Sequence, residues 1–168
     1  KCYKEEESGY RSKRMWENDL WADQLDFNKI VDSMSEDGSM PYGIHYIDMK
    51  LGNACNLACV MCNPSDSSLW IPDWNKLKKQ NISPEVDSQT YWNKNEAGAY
   101  NWYKKNQNYW DSLQENIDKL HSVYIIGGEP TVNPEFKKFV QDCVTTGNAS
   151  HIDLRFNTNG QILDEELK

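Results

Sequence analysis

The chain has 168 residues, enough for one domain with a substantial core, and its 26 Asp and Glu against 18 Lys and Arg give a formal charge of −8. That charge argues against a nucleic-acid backbone or an anionic membrane as the main partner, and no apolar run reaches the roughly 18–20 residues of a transmembrane helix. Three of the five cysteines fall between Cys55 and Cys62, which points to metal binding in a reducing, cytoplasmic setting rather than to a disulfide framework.

Residues 1–43 read as a charged N-terminal extension. Glu5-Glu6-Glu7 is followed by Arg11, Lys13 and Arg14, and apolar residues are sparse until Met15-Trp16 and Leu20-Trp21. A short helix or two is expected, then a loop through Ser33–Tyr42 broken by Asp37-Gly38 and Pro41. From Ile44 to Leu51 the mixture of β-branched, aromatic and apolar residues predicts a strand running straight into the cysteines.

Residues 65–107 form an aromatic-rich insertion with Pro72 and Pro84 as breakers. Trp74-Asn75-Lys76-Leu77 reads as helical, and the tract from Asn81 to Ala99 as mostly loop. From Trp102 a helix is expected, with Tyr109, Leu113, Ile117 and Leu120 at helical spacing. Ser122-Val123-Tyr124-Ile125-Ile126 then suits a strand buried on both faces, ending at Gly127-Gly128.

The next helix carries the strongest signals. Asn133 is a natural N-cap, Pro134 fits the first helical position and Glu135 suits the positive end of the dipole. Phe136, Phe139, Val140, Cys143 and Val144 form its expected apolar stripe, and Gly147 its stop. Ile152–Phe156 is a third strand, closed by Asn157-Thr158-Asn159-Gly160, and a further helix is expected near Asp164. Cys143 reads as core, the Trp and Tyr residues near 102–110 as packing, and His45, His121 and His151 have no partner that spacing alone identifies.

Strands alternating with helices predict an α/β fold with a parallel sheet. In such folds function gathers at the carboxyl ends of the strands. The cysteine cluster, Gly127-Gly128-Glu129-Pro130 and Thr158-Asn159-Gly160 each follow a strand, so all three are expected on one rim.

The cysteines read Cys55-x3-Cys59-x2-Cys62. Three thiolates on one short loop can wrap three corners of a [4Fe–4S] cluster, which usually takes four. The missing fourth would leave one iron open to a ligand. Zinc is the alternative, but zinc prefers four ligands, often two C-x2-C pairs or a His pair, and His45 and His121 are distant in sequence. A non-enzymatic zinc or iron–sulfur module therefore stands as the second reading.

The cysteine spacing after a strand, approached by Leu51-Gly52-Asn53 and containing Cys55-Asn56-Leu57, resembles the signature of the radical S-adenosylmethionine (SAM) superfamily. The resemblance spans about Ile44 to Gly160. It implies the first half of a TIM-like (β/α) barrel over residues 44–168, and a [4Fe–4S] cluster on Cys55, Cys59 and Cys62. SAM would chelate the open iron and be cleaved reductively to a 5′-deoxyadenosyl radical that abstracts hydrogen from a substrate. Met61 would lie near the adenine. Gly127-Gly128-Glu129-Pro130 would meet the SAM amino group, with glycines allowing close backbone approach and Glu129 as charged acceptor. Asn157 and Thr158 would line the cavity. An electron donor such as a flavodoxin or ferredoxin is implied, and the substrate class includes peptide or protein side chains. No residue of the substrate half-reaction is identifiable.

Lys50-Leu51-Gly52-Asn53, the Trp/Tyr-rich insertion and the spacing Cys2-x3-Glu6-x2-Gly9-x2-Ser12-x-Arg14-x3-Asn18 further resemble twitch-domain members of that superfamily. There Cys2 would be the second member of a C-x2-C pair. Three strands are fewer than the family barrel holds, so the chain reads as part of a longer one. Its open parallel edge predicts aggregation or cluster loss when it is expressed alone.

Overall fold

The computed structural model describes residues 1–41, 43–82 and 102–162, together with Glu165. Most of the loop expected over Asn81–Ala99, and the helix expected near Asp164 apart from Glu165, lie outside the described residues. The chain divides into two compact units, Lys1–Gly43 and Ile44–Lys168.

The first unit holds three short helices, α1 (Cys2–Glu7), α2 (Lys13–Trp21) and α3 (Phe27–Asp32), one more than the charge pattern suggested. The extra helix starts at Asp26, whose carboxylate accepts the Lys29 N–H at 3.2 Å and so satisfies an end that Phe27-Asn28 did not advertise. Ser12 is the equivalent cap of α2, accepting from the Met15 N–H at 3.3 Å. Its own hydroxyl is fully buried and donates to Glu6, which also receives Arg14 at 2.5 Å. Glu6, Ser12 and Arg14, spaced apart in sequence, are thus one hydrogen-bonded group.

In the second unit, β1 (Tyr46–Lys50), β2 (Ser122–Ile126) and β3 (Asp153–Phe156) form a parallel sheet in that order. The register aligns Tyr46 with Ser122 and Asp153, and Met49 with Ile125 and Phe156. One face is apolar. Met49, Val123 and Ile125 are buried on it with Leu51, and Leu154 and Phe156 pack against them. The other carries Tyr46, Asp48, Lys50, Asp153 and Arg155, all exposed. β2 is consequently not buried on both faces as expected. Tyr124 and Ile126 are half-buried, because their neighbours across the sheet are charged side chains facing solvent.

Tyr103, Leu113, Phe136, Phe139 and Cys143, from the helices after β1 and β2, share one buried core with that apolar face. α4 (Ile71–Lys79) follows a short 3-10 turn, Ser68–Trp70, and Pro72 sits in its first turn, where the missing N–H costs nothing. Pro72 therefore starts a helix instead of breaking one. The helix expected from Trp102 is two pieces, α5 (Trp102–Lys105) and α6 (Gln107–Glu115), restarted by Asn106, whose side chain caps Tyr109 N at 3.2 Å. Ile117 and Leu120 still reach the core, but from a 3-10 turn and an extended residue. The Asn116 amide, bonded back to the Ser112 carbonyl at 2.8 Å, ends α6 before them.

α7 (Pro134–Thr145) begins as expected, with the Asn133 side chain accepting the Glu135 N–H at 2.9 Å. Phe136, Phe139 and Cys143 are buried, and burial raises the Cys143 thiol to about 11, aided by the charge of Asp142. Val144 departs from the expected stripe. It is 63% exposed, since one further residue turns the helix about 100° away from Cys143. Trp102, Tyr109 and Trp110 pack edge to face at 4.9 and 5.3 Å, as a structural cluster. Among the described residues no helix is long and apolar enough to cross a membrane.

Candidate metal and cofactor site

The carboxyl ends of the three strands converge on the cysteine loop, residues 52–64. β1 delivers the chain into it: Leu51 N–H donates to the Ile126 carbonyl at 3.0 Å, and the buried Asn133 amide donates to the Leu51 carbonyl at 2.9 Å. Gly52 then turns with φ +73°, a left-handed conformation that favours glycine.

The loop is held from beneath by residues that follow it. The buried Ser67 hydroxyl donates to the Leu57 carbonyl at 2.6 Å, and the Trp70 indole N–H to the Cys59 carbonyl at 2.9 Å. Asn53 bonds the Pro64 carbonyl at 2.8 Å, and its own carbonyl accepts Ser68 N–H at 2.8 Å. Asp66 receives Lys50 at 2.8 Å and Asn63 at 3.0 Å, closing the loop's exit onto β1. The Asn53, Leu57 and Cys59 carbonyls are thus all held by residues 67–70, at the start of the aromatic-rich tract.

Cys55, Cys59 and Cys62 are all free and half-buried. They sense one another. Burial, then the charges of Cys59, Asp66 and Cys55, and a hydrogen bond with Cys59 raise the Cys62 thiol above its ordinary value. A nucleophilic cysteine needs the opposite, a positive setting that lowers its pKa. Three clustered thiols are suited to a cation or cluster that deprotonates them on binding. In these rotamers, no three His, Cys, Asp or Glu side chains among the described residues are already gathered for a metal ion. The donor set fits a thiolate-ligated group that draws the three sulfurs together.

The glycine turn after β2 is sealed against this loop. A methyl on Gly127 would lie 2.6 Å from the Gly52 carbonyl oxygen, and one on Gly128 only 2.1 Å from that of Ala54. Both glycines have positive φ, +92° and +62°, and the Glu129 N–H donates to the Ala54 carbonyl at 2.8 Å. Pro130 is fully buried behind them.

Glu129 is a clasp. It is 2% exposed, yet charged. Burial pushes its carboxyl upward, but hydrogen bonds from Asn159 N–H, the Thr158 hydroxyl and the Thr131 hydroxyl and N–H outweigh that and hold it below the ordinary value. Oε1 accepts Thr131 Oγ1 and Thr158 Oγ1, each at 2.8 Å, and Thr131 N at 3.2 Å; Oε2 accepts Asn159 N at 2.7 Å. A carboxylate has about four lone-pair sites. Oε2 keeps capacity for one more donor, but the side chain's present work is to bind the end of β3 to the end of β2.

Of the remaining expected residues, Thr158 is in this clasp, and Asn157 donates at 2.9 Å to the hydroxyl of Tyr124, on the charged face of the sheet. Met61 is 82% exposed at the loop's tip, beside Val60 at 90%. Asn159, expected on the rim within Thr158-Asn159-Gly160 but without a contact of its own, joins all three segments. Its N–H meets Glu129 and its side-chain amide donates to Asn56 Oδ1, between Cys55 and Leu57, at 2.8 Å. An Asn-Gly pair that reads as an ordinary turn concealed it. No family model matches this chain, nor does any curated protein or solved structure.

Proposed function

We propose that the protein is a cytoplasmic radical SAM enzyme. In this reading Cys55, Cys59 and Cys62 hold a [4Fe–4S] cluster, and Ile44 onward is the first half of a TIM-like barrel whose interior face is the charged face of the sheet. The observation that carries it is the seal between the Gly127-Gly128-Glu129 turn and the cysteine loop, with Gly128 against Ala54 and Glu129 N–H on the Ala54 carbonyl. A plain metal loop does not need a second strand's glycine turn pressed to its backbone; a site that binds a ligand beside the metal does. When bound, cluster and SAM supply reductive cleavage to a 5′-deoxyadenosyl radical.

The chain's own residues then divide the work. Main-chain carbonyls of the glycine turn offer acceptors for the SAM amine, which retains N–H donors. Glu129, clasped by Thr131, Thr158 and Asn159, positions that turn. Exposed Met61 is free to cover the adenine with a polarisable thioether. A flavodoxin- or ferredoxin-like protein would supply the electron, and a peptide or protein side chain is the substrate class taken forward.

Anaerobic reconstitution of the full-length protein, followed by SAM and a strong reductant, tests this. 5′-Deoxyadenosine that forms with the wild type and not with Cys59→Ala is expected. Tight stoichiometric zinc, no iron absorbance and no SAM cleavage would instead establish the non-enzymatic metal module.

A further inference from the structure

At the end of the sheet opposite the cysteine loop, the parallel register sets His45 beside His121, and His151 lies on the turn next to them. His45 and His121 immediately precede β1 and β2, and His151 lies two residues before β3. The backbone pins them there. The His45 carbonyl accepts His121 N–H at 2.9 Å, and the His121 carbonyl accepts Asp153 N–H at 2.8 Å. Five-residue strands at about 3.3 Å per residue separate this end from the cysteine rim by roughly 17 Å, so the site serves nothing in the SAM chemistry.

The imidazoles meet. The His45 and His121 ring centroids are 5.6 Å apart, and those of His121 and His151 6.4 Å. Two imidazoles sharing one tetrahedral ion, with metal–nitrogen bonds of about 2.0–2.1 Å, place their centroids about 5 Å apart. The first pair has about the ring spacing that a shared ion requires. His151 is exposed on its turn and would have to reorient to complete the set, since no three such side chains are gathered among the described residues.

The protonation pattern suits a metal as well. His45 Nδ1 lies 3.0 Å from the Lys119 carbonyl oxygen. A carbonyl can only accept, so Nδ1 carries a proton and Nε2 is the nitrogen left to face a metal. Ligating histidines are commonly oriented through the other ring nitrogen in this way.

We propose that His45, His121 and His151 form a second metal site, for a divalent transition ion of the zinc class, that ties together the amino-terminal ends of the three strands. Three imidazoles and a water make an acceptable zinc environment, and imidazole without thiolate or carboxylate favours such ions over magnesium or calcium. The site stands whether or not the cysteines hold a cluster.

Calorimetric titration with Zn2+ tests it in the full-length protein carrying Cys55→Ser, Cys59→Ser and Cys62→Ser, which removes the competing thiolates. One zinc per chain is expected, with a raised melting temperature, and His45→Gln and His151→Gln should each weaken binding more than about tenfold. His151 is exposed, so His151→Gln tests the site without endangering the fold. Zinc affinity unchanged in both variants, or no zinc bound, would overturn the proposal. If the serine variant does not fold, the wild-type chain serves. Zn2+ should then shift the imidazole nitrogen resonances of His45 and His121, and resonances that stay in place would overturn it equally.

Discussion

Gly128→Ala probes most sharply how the cysteine loop is seated. Gly128 has φ +62°, and an added methyl would lie 2.1 Å from the Ala54 carbonyl oxygen and 2.9 Å from its carbonyl carbon and amide nitrogen. The left-handed backbone costs an L-residue about 1–2 kcal/mol. Forcing a methyl into a packed contact adds about 1–3 kcal/mol, since the obstacle is backbone and not a flexible side-chain end. The expected loss is therefore about 2–5 kcal/mol, a large share of the stability of any single domain. Gly147 supplies the control, with φ +77° and nothing within 4 Å of an added methyl. Gly147→Ala should carry only the backbone cost, about 1–2 kcal/mol. Urea denaturation of both variants, followed by tryptophan fluorescence, isolates the packing contribution as their difference. Equal losses would refute the claim that the glycine turn is sealed against the cysteine loop.

Three further outcomes follow from the same geometry. Glu129 has a folded-state carboxyl below its ordinary 4.5, so its contribution to stability is complete above that pH and is lost as pH falls through the folded value; Glu129→Gln should flatten the acid limb of a stability–pH profile, and an unchanged limb would contradict the clasp. Ser67→Ala leaves the Leu57 carbonyl without its buried donor and should cost about 1–3 kcal/mol, with faster amide exchange across the cysteine loop. On α7, Phe136→Ala should cost about 3–5 kcal/mol, whereas Val144→Ser should stay within about 0.5 kcal/mol. Similar losses at the two positions in thermal denaturation would contradict the placement of the buried stripe.

The elements that were legible in sequence are those whose signals are local. Asn133-Pro134-Glu135 carries its own cap, first-turn proline and dipole charge, and α7 starts there. Ser122–Ile126 is bounded by Gly127-Gly128 and is β2 to the residue. The misreadings arose where distant residues decide. Asn116 ends α6 through a side-chain bond back to Ser112, so evenly spaced Ile117 and Leu120 leave the helix while staying in the core. Polar neighbours across the sheet, not β2's own apolar run, open one of its faces. Asn159 and the histidine trio depended on strand register, which no short window contains. The three cysteines could be recognised because their spacing is itself local; the Ser67 and Trp70 supports beneath them could not.

In the proposed function, the cluster on Cys55, Cys59 and Cys62 has one open iron that binds SAM. Electron paramagnetic resonance of the reduced, reconstituted full-length protein, recorded with and without SAM, tests it most directly. A [4Fe–4S]+ signal whose g-values shift when SAM is added is expected, with signal and shift both lost in Cys59→Ala. A reduced cluster whose spectrum is identical with and without SAM would contradict it.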